Sequence, residues 1–363
     1  MAKDFMVKES ELDDIQMKVL NSVLDKNIVV SGCAGSGKSL IALRKAQRVQ
    51  SEAKGSCEVI VFTKALCGFM NSGRNELGLK CPFFYHWQWK NKFDMPKADY
   101  VIVDEIQDFT EEEIQEFMDA ARKHFFFFGD TAQSIYQDYK PTVPVENLRY
   151  IAAAYGSCKE FPLYSNYRLP KPVAKITQDY IGVDVEPYGD GSVYRSKENV
   201  KPKFLKYPTL KDQMNAIVRI IKDRELTDAA ILVPHNDDIP QMLDLLKSAS
   251  NAITSNKGKS MLDFEVKYND KEDWHNSQET LNFATNNPKV MTFHSAKGLQ
   301  FETVFIPDVA ETYSDGDRKA LYVAMTRTYR NLYVMYSGVL PDILKQVRTD
   351  LYETTETDEI EDL

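Results

Sequence analysis

Residues 32 to 39 read Gly32-Cys33-Ala34-Gly35-Ser36-Gly37-Lys38-Ser39, and no other stretch constrains the chain as tightly. An apolar run, Asn27-Ile28-Val29-Val30-Ser31, precedes it and has the make-up of a buried strand. Leu40-Ile41-Ala42-Leu43-Arg44-Lys45-Ala46 follows and reads as a helix. Glycines let backbone N–H groups turn inward, and the N-terminus of the following helix adds partial positive charge. A triphosphate fits that concavity, so strand, glycine loop and helix together predict a phosphate-binding loop. Gly35, Ser36 and Gly37 line it, Lys38 reaches the β- and γ-phosphates, and Ser39 holds Mg²⁺. ATP and Mg²⁺ are the expected ligands.

Two further strand ends carry matching chemistry. Tyr100-Val101-Ile102-Val103 runs into Asp104-Glu105-Ile106-Gln107-Asp108. Beside a phosphate loop, adjacent carboxylates divide the work: Asp104 holds the metal, directly or through water, and Glu105 orients and polarises the attacking water. Phe125-Phe126-Phe127-Phe128 reads as a fully buried strand ending in Gly129-Asp130-Thr131-Ala132-Gln133. There Gln133 is placed to sense a γ-phosphate. Short strands alternating with helices predict a parallel α/β sheet with its ligand loops at the carboxyl ends of the strands.

The spacing of Leu12, Ile15, Val19, Leu20 and Val23 predicts a helix over 8–25. Gln16 on that helix carries an amide able to read adenine, although on the residues alone a solvated helix face is the simpler reading. Aromatic and basic residues interleave over 82–93, where Phe83, Phe84, Tyr85, His86, Trp87, Trp89, Lys90 and Lys92 fall. That composition suits base stacking with phosphate contact, and equally a core edge beneath a loop. In the second half, strands are predicted at 229–233, 289–293, 303–306 and 332–335, with a helix around Met242 to Leu246. Residues 248–288 are polar and Asn-rich and read as an irregular insertion; the chain after about 349 reads as a disordered tail.

The 363 residues allow two or three domains. No apolar run is long enough to span a bilayer, and Met1-Ala2-Lys3-Asp4-Phe5 lacks a signal-peptide core, so a cytoplasmic protein without membrane partners is expected. Five cysteines at irregular spacing argue against a disulfide framework or a zinc site and suit a reducing compartment. Of the net charge of −9, seven acids between Asp350 and Asp362 leave the remainder at −2. A nearly neutral body is compatible with a nucleic-acid groove but not with a broad basic surface.

Taken in order, these strings resemble the motifs of superfamily 1 helicases of the UvrD/Rep type, from Gln16 to about Val334. Gln16 resembles the Q motif, the glycine loop motif I, residues 61–66 motif Ia, Asp104–Asp108 motif II and Gly129–Tyr136 motif III. Asn166-Tyr167-Arg168 resembles motif IV, Thr292 to Phe301 motif V, and Leu321 to Arg327 motif VI. The resemblance implies two RecA-like P-loop NTPase lobes with parallel sheets, at 1–165 and 166–345, and an acidic tail at 346–363. It implies that Gln16 selects adenine, that Tyr167 stacks on it, and that Gly298 and Gln300 also serve the nucleotide. Arg168 and Arg327 would reach the γ-phosphate from the second lobe as arginine fingers when the lobes close. Thr63, Lys64, His86, Tyr139, Thr292 and His294 would face a single strand, DNA rather than RNA, with movement from 3′ to 5′.

Three departures from the family pattern stand out. Gln137-Asp138-Tyr139-Lys140 follows motif III, so its usual aromatic is displaced by one position. Gln300 stands where motif V commonly has Glu. Only residues 40 to 103 separate motifs I and II, which leaves no room for the large 1B insertion, and a 2B insertion has no room either. The implied activity is that of an ATP-dependent single-stranded-DNA translocase or helicase. The other reading is a nucleotide-gated subunit that recruits a nuclease, repair or defence protein without unwinding.

Overall fold

The structure is a computed structural model and describes residues 7–53, 55–137, 139–183, 195–257, 261–269 and 277–355. The chain divides into two compact units between Tyr167 and Arg168; Arg195 belongs with the first unit, and the chain from Ser196 with the second.

In the first unit, α1 (Asp14–Leu20) leads into β1 (Asn27–Gly32), α2 (Lys38–Arg48), β2 (Cys57–Val61), α3 (Lys64–Glu76) and β3 (Phe83–Tyr85). Then come β4 (Ala98–Val103), α4 (Glu111–Ala120), β5 (Ala121–Gly129), α5 (Leu148–Ala152) and β6 (Cys158–Leu163). The sheet order is β3-β2-β4-β5-β1-β6, and every neighbouring pair is parallel. Alternation along the strands fills a core on each face. Ile28, Val30, Phe126 and Phe128 point to one, and Val29, Val101, Phe125 and Phe127 to the other. Helices cover both faces, so the central strands read as unbroken apolar runs rather than alternating ones. The topology carries the loops after β1, β4 and β5 to one end of the sheet.

The helix expected over 8–25 is shorter. A 3-10 turn at Glu9–Glu11 stops before Leu12, and Asp13 then caps α1 by accepting from the Gln16 N–H at 2.6 Å. An Asp with its own extended backbone and a satisfied cap restarts the helix rather than continuing it.

The second unit opens with α6 (Lys171–Ile176), β7 (Lys203–Lys206), α7 (Leu210–Asp223), β8 (Ala229–Val233) and α8 (Ile239–Lys257). It continues with β9 (Glu265–Tyr268), β10 (Gln278–Glu279), β11 (Lys289–Thr292), β12 (Phe301–Ile306), α9 (Asp315–Met325), β13 (Thr328–Tyr336), α10 (Asp342–Lys345) and β14 (Glu353–Thr355). Its strand order is β10-β9-β11-β8-β12-β13-β7-β14, parallel throughout except where β10 meets β9. Both units are therefore α/β with parallel sheets, of the RecA-like kind.

Two expectations for this half are corrected. Part of 248–288 is regular, because α8 continues to Lys257 on buried Leu246 and Ala249 while β9 extends the sheet beside β11. Residues 258–260 and 270–276 lie outside the described residues. The start of the acidic tail is also structured. Glu353–Thr355 pairs with β7, the Tyr352 ring stacks on Phe204 at 4.4 Å, and Glu353 lies 3.7 Å from the Lys203 ammonium. An open parallel edge accepts a short strand even of polar sequence, since backbone groups supply the bonds. Residues 356–363 are outside the described set. Among the described residues no helix is long and apolar enough to cross a membrane.

Candidate nucleotide site

The glycine loop follows β1, and α2 begins at Lys38. Gly35 and Gly37 sit at φ 77° and 88°, a left-handed region that side chains with a Cβ rarely adopt. Gly37 is needed twice over, since a Cβ there would meet Gln16 Nε2 at 2.7 Å. Gln16 lies against the loop: its Nε2 donates to Ser36 O at 2.9 Å and its Oε1 accepts from the Asp13 N–H at 3.0 Å. One amide hydrogen and one lone pair remain for a ligand. The Tyr167 hydroxyl donates to Asp13, and the Tyr167 N–H donates to Gly35 O at 3.0 Å. The two residues expected at adenine thus meet on one side of the loop, joined through Asp13, which sequence reasoning did not single out.

Lys38 is buried, and its ammonium donates to Gly32 O at 2.8 Å and Cys33 O at 3.1 Å, with Asp130 at 3.9 Å. The Ser36 hydroxyl is buried, 1% exposed as a residue, and has no hydrogen-bond partner among the described residues. A buried donor without a partner inside a ring of inward N–H groups fits a phosphate oxygen.

Asp104 and Glu105 follow β4, and both are buried. Asp104 Oδ2 accepts from the Ser39 hydroxyl at 2.5 Å, and its Oδ1 from the Glu105 N–H at 3.1 Å. Burial, and the Glu105 carboxylate beside it, push Asp104 up to about 7. A desolvated acid beside a hydroxyl is a donor set for a hard cation, which would relieve both causes of that shift. Mg²⁺ would take Ser39 and Asp104 and draw its remaining oxygens from phosphates and water. Among the described residues there is no group of three or more His, Cys, Asp and Glu side chains arranged to hold a metal alone.

Glu105 holds a left-handed backbone at φ 58° and ψ 42°, a local strain that aims its carboxylate. Gln107 Nε2 donates to Glu105, while Gln107 Oε1 accepts from the Asp130 N–H at 3.0 Å. Asp130 Oδ2 in turn accepts from Gln133 Nε2 at 2.6 Å. A hydrogen-bonded line therefore runs from Glu105 through Gln107 and Asp130 to Gln133, with Asp130 near Lys38. Gln107 and Asp130 lay inside the recognised strings but were not marked; only the fold shows that they join one strand end to the next.

The residues expected at a nucleic-acid strand are less uniform. Thr63 caps α3, accepting from the Leu66 N–H at 3.1 Å, and Lys64 is exposed beside it. Tyr139 is 77% exposed. His86 is turned inward. Its ring meets Phe109 at 5.1 Å and Phe117 at 5.7 Å edge-on, Glu113 is 3.8 Å from Nδ1, and burial lowers its pKa. Instead it is Trp87 that is exposed, its ring stacked 6.3 Å from Tyr85. Residues 82–93 are part strand and part helical turn: β3 ends at Tyr85, and the helical turn that follows points His86 inward and Trp87 outward.

In the second unit, Thr292 ends β11 and bonds Ser295, with its Oγ1 accepting from the Ser295 N–H at 3.1 Å. His294, Gly298 and Gln300 lie half-buried on the turn that follows, with Gly298 at φ 79°. The two arginines differ. Arg168 is half-buried and donates through Nη2 to Thr326 O at 2.9 Å. Arg327 is 1% exposed, and its guanidinium donates to Val323 O at 2.8 Å, Leu299 O at 3.4 Å and Thr326 Oγ1 at 2.9 Å. A finger role would require it to leave these oxygens.

A phosphate loop, a paired-carboxylate strand end and a sensing glutamine on a parallel sheet define a P-loop protein. The family model described as the viral superfamily 1 RNA helicase core domain matches residues 28–216, more than half of the chain. That described as the UvrD-like helicase C-terminal domain matches residues 289–335. The chain belongs to superfamily 1 of the helicases.

No curated protein matches it. Among solved structures it is similar to the C-terminal domain of a possible DNA helicase from Lactobacillus plantarum WCFS1, at 19% identity and TM-score 0.37, over 52% of this chain and 98% of that one. It is also similar to arterivirus nonstructural protein 10, a helicase, at 13% identity and TM-score 0.45, over 92% of this chain and 64% of that one. The complex of arterivirus nonstructural protein 10 with DNA aligns at 15% identity and TM-score 0.43, over 88% and 62%.

Proposed function

We propose that the chain is an ATP-driven motor on single-stranded nucleic acid, moving from 3′ to 5′. The observation that supports this best is the convergence, in one unit, of the glycine cradle, Lys38, the Ser39–Asp104 pair and the strained Glu105 linked to Gln133. Bound Mg²⁺ would neutralise charge on the β- and γ-phosphates. Lys38 exchanges its carbonyl partners for phosphate oxygens, and the Ser36 hydroxyl gains the acceptor it lacks. Glu105, held by Gln107, takes the proton of the attacking water at its carboxylate. Gln133 senses the γ-phosphate through Asp130, and Gln16 offers its remaining donor and lone pair to adenine while Tyr167 stacks on the base. Arg168 supplies positive charge from the second unit on closure, with Arg327 joining if released from its carbonyls.

The strand is DNA on the UvrD/Rep resemblance; the matching core model is named for RNA helicases, so both are tested. ATP hydrolysis is titrated with single-stranded DNA, single-stranded RNA and duplex. Strand displacement follows, on substrates tailed at either end. Stimulation by single strands, with displacement from a 3′ tail, is the expected result; stimulated turnover with no translocation or displacement would favour the nucleotide-gated subunit. Glu105→Gln should retain ATP binding and lose about 10²-fold or more in turnover. Turnover at the wild-type rate in this variant would remove Glu105 from the mechanism.

A further inference from the structure

At the other end of the first sheet, away from the nucleotide loops, two cysteines lie next to each other just ahead of the β2–β3 pairing. Val59 on β2 pairs with Phe83 on β3, and the Val59 N–H donates to Pro82 O at 3.0 Å. Two residues earlier on each segment stand Cys57 and Cys81. Side chains alternate along a strand, so Cys57 shares the face of Val59; Cys81 sits at the bend leading into β3, and all four residues belong to one buried cluster. The β2–β3 pairing that begins two residues later, with a strand spacing of about 4.8 Å, is compatible with the roughly 4.4–6.8 Å Cα separation that a disulfide spans. Cys57 and Cys81 are 6% and 9% exposed, and β3 is an edge strand of its sheet.

We propose that Cys57 and Cys81 are a dithiol site that reacts with hydroperoxides and closes to a disulfide, stapling β3 to β2. The Cys57 thiol points to Glu58 O at 3.9 Å, and its interaction with the neighbouring Cys81 sulfur raises Cys57 well above the ordinary thiol range and lowers Cys81, with Arg74 adding to the lowering. Cys81 is therefore the attacking sulfur. Its thiolate displaces hydroxide from the peroxide by attacking one oxygen as the O–O bond breaks, leaving a sulfenic acid on Cys81. The Cys57 sulfur then attacks the Cys81 sulfur; the S–O bond breaks, and hydroxide leaves with the Cys57 proton as water. Two thiols are oxidised to one disulfide, and one peroxide is reduced to two waters. Cys67, in the same cluster, sits on α3 with its pKa raised by burial, so it is not the first to react.

The test uses the full chain treated with hydrogen peroxide, then thiol-blocked, digested and analysed by mass spectrometry. Wild type should lose two of its five thiols and yield one peptide pair linked through Cys57 and Cys81, reversed by dithiothreitol. Cys57→Ser should stop at a dimedone-reactive sulfenic acid on Cys81, and Cys81→Ser should give neither product. Circular dichroism of each variant checks that the fold persists, and the wild-type result stands even if a variant unfolds. Retention of all five thiols, a link through Cys67, or a sulfenic acid on Cys57 would overturn the proposal.

Discussion

Arg168 and Arg327 show how far two residues of the same type and expected role diverge once placed. Both are expected at the γ-phosphate, yet Arg327 is bound to two carbonyls and a hydroxyl of its own unit, whereas Arg168 is half-buried with Thr326 O as a partner. Removing a buried guanidinium leaves a cavity and unpaired carbonyls. Arg327→Ala is therefore expected to cost about 3 kcal/mol of stability. Arg168→Ala should change stability by within about 1 kcal/mol and reduce turnover about 10³-fold. Urea unfolding and steady-state hydrolysis on both variants check this. An Arg327→Ala protein as stable as wild type but inactive would restore it as a finger.

Strand β2 holds another buried acid, Glu58, at 2% exposure, whose Oε1 accepts from the Trp89 Nε1–H at 3.0 Å. Burial pushes it from 4.5 up to about 7, against the smaller opposing effect of Trp89. Between those values the folded chain binds a proton that the unfolded chain does not, so stability falls as pH rises through the window. Asp104, also raised to about 7, adds a slope of the same sign. Lys45, lowered to about 7 by burial and then by Arg48, acts in the opposite sense but only above that pH. Glu58→Gln keeps an acceptor for Trp89 and should remove about 2 kcal/mol of the stability loss between about pH 5 and about pH 7, leaving the part due to Asp104. Denaturant midpoints at the two pH values measure it; identical losses in wild type and variant would show that Glu58 ionises freely. The same element illustrates what its sequence concealed. β2 is a fully buried run of five residues, whereas its partner β3 is three residues long, at an edge, and lies inside an aromatic stretch whose composition suits a loop edge equally well.

Across the whole molecule the acidic C-terminus now has two parts. Cutting after Val347 removes β14 and the Tyr352–Phe204 stack and should lower stability of the second unit. Cutting after Thr355 removes only Glu356, Asp358, Glu359, Glu361 and Asp362 among charged residues. If these acids compete with phosphates for the nucleic-acid groove, the shorter cut should tighten binding of a single-stranded oligonucleotide at low salt, and the gain should shrink at high salt. Equal low-salt affinities with and without the segment would exclude that competition.

What the sequence by itself determined is local. Glycines at 35 and 37 dictate a backbone that other residues resist, and apolar runs such as Val101 to Val103 and Phe125 to Phe128 dictate buried strands whose ends must carry the polar loops. Those properties belong to neighbours along the chain, so motif strings record them. What only the tertiary structure decided is which distant groups meet. Examples are the seating of Gln16 on Ser36, the Gln107 link between two strand ends, the inward turn of His86, the burial of Arg327 and the apposition of Cys57 with Cys81. Each depends on register between strands or on packing of a helix against a loop. Edge strands such as β3, β6 and β14 depend on an open row of backbone groups rather than on side chains, so no periodicity in the sequence announced them.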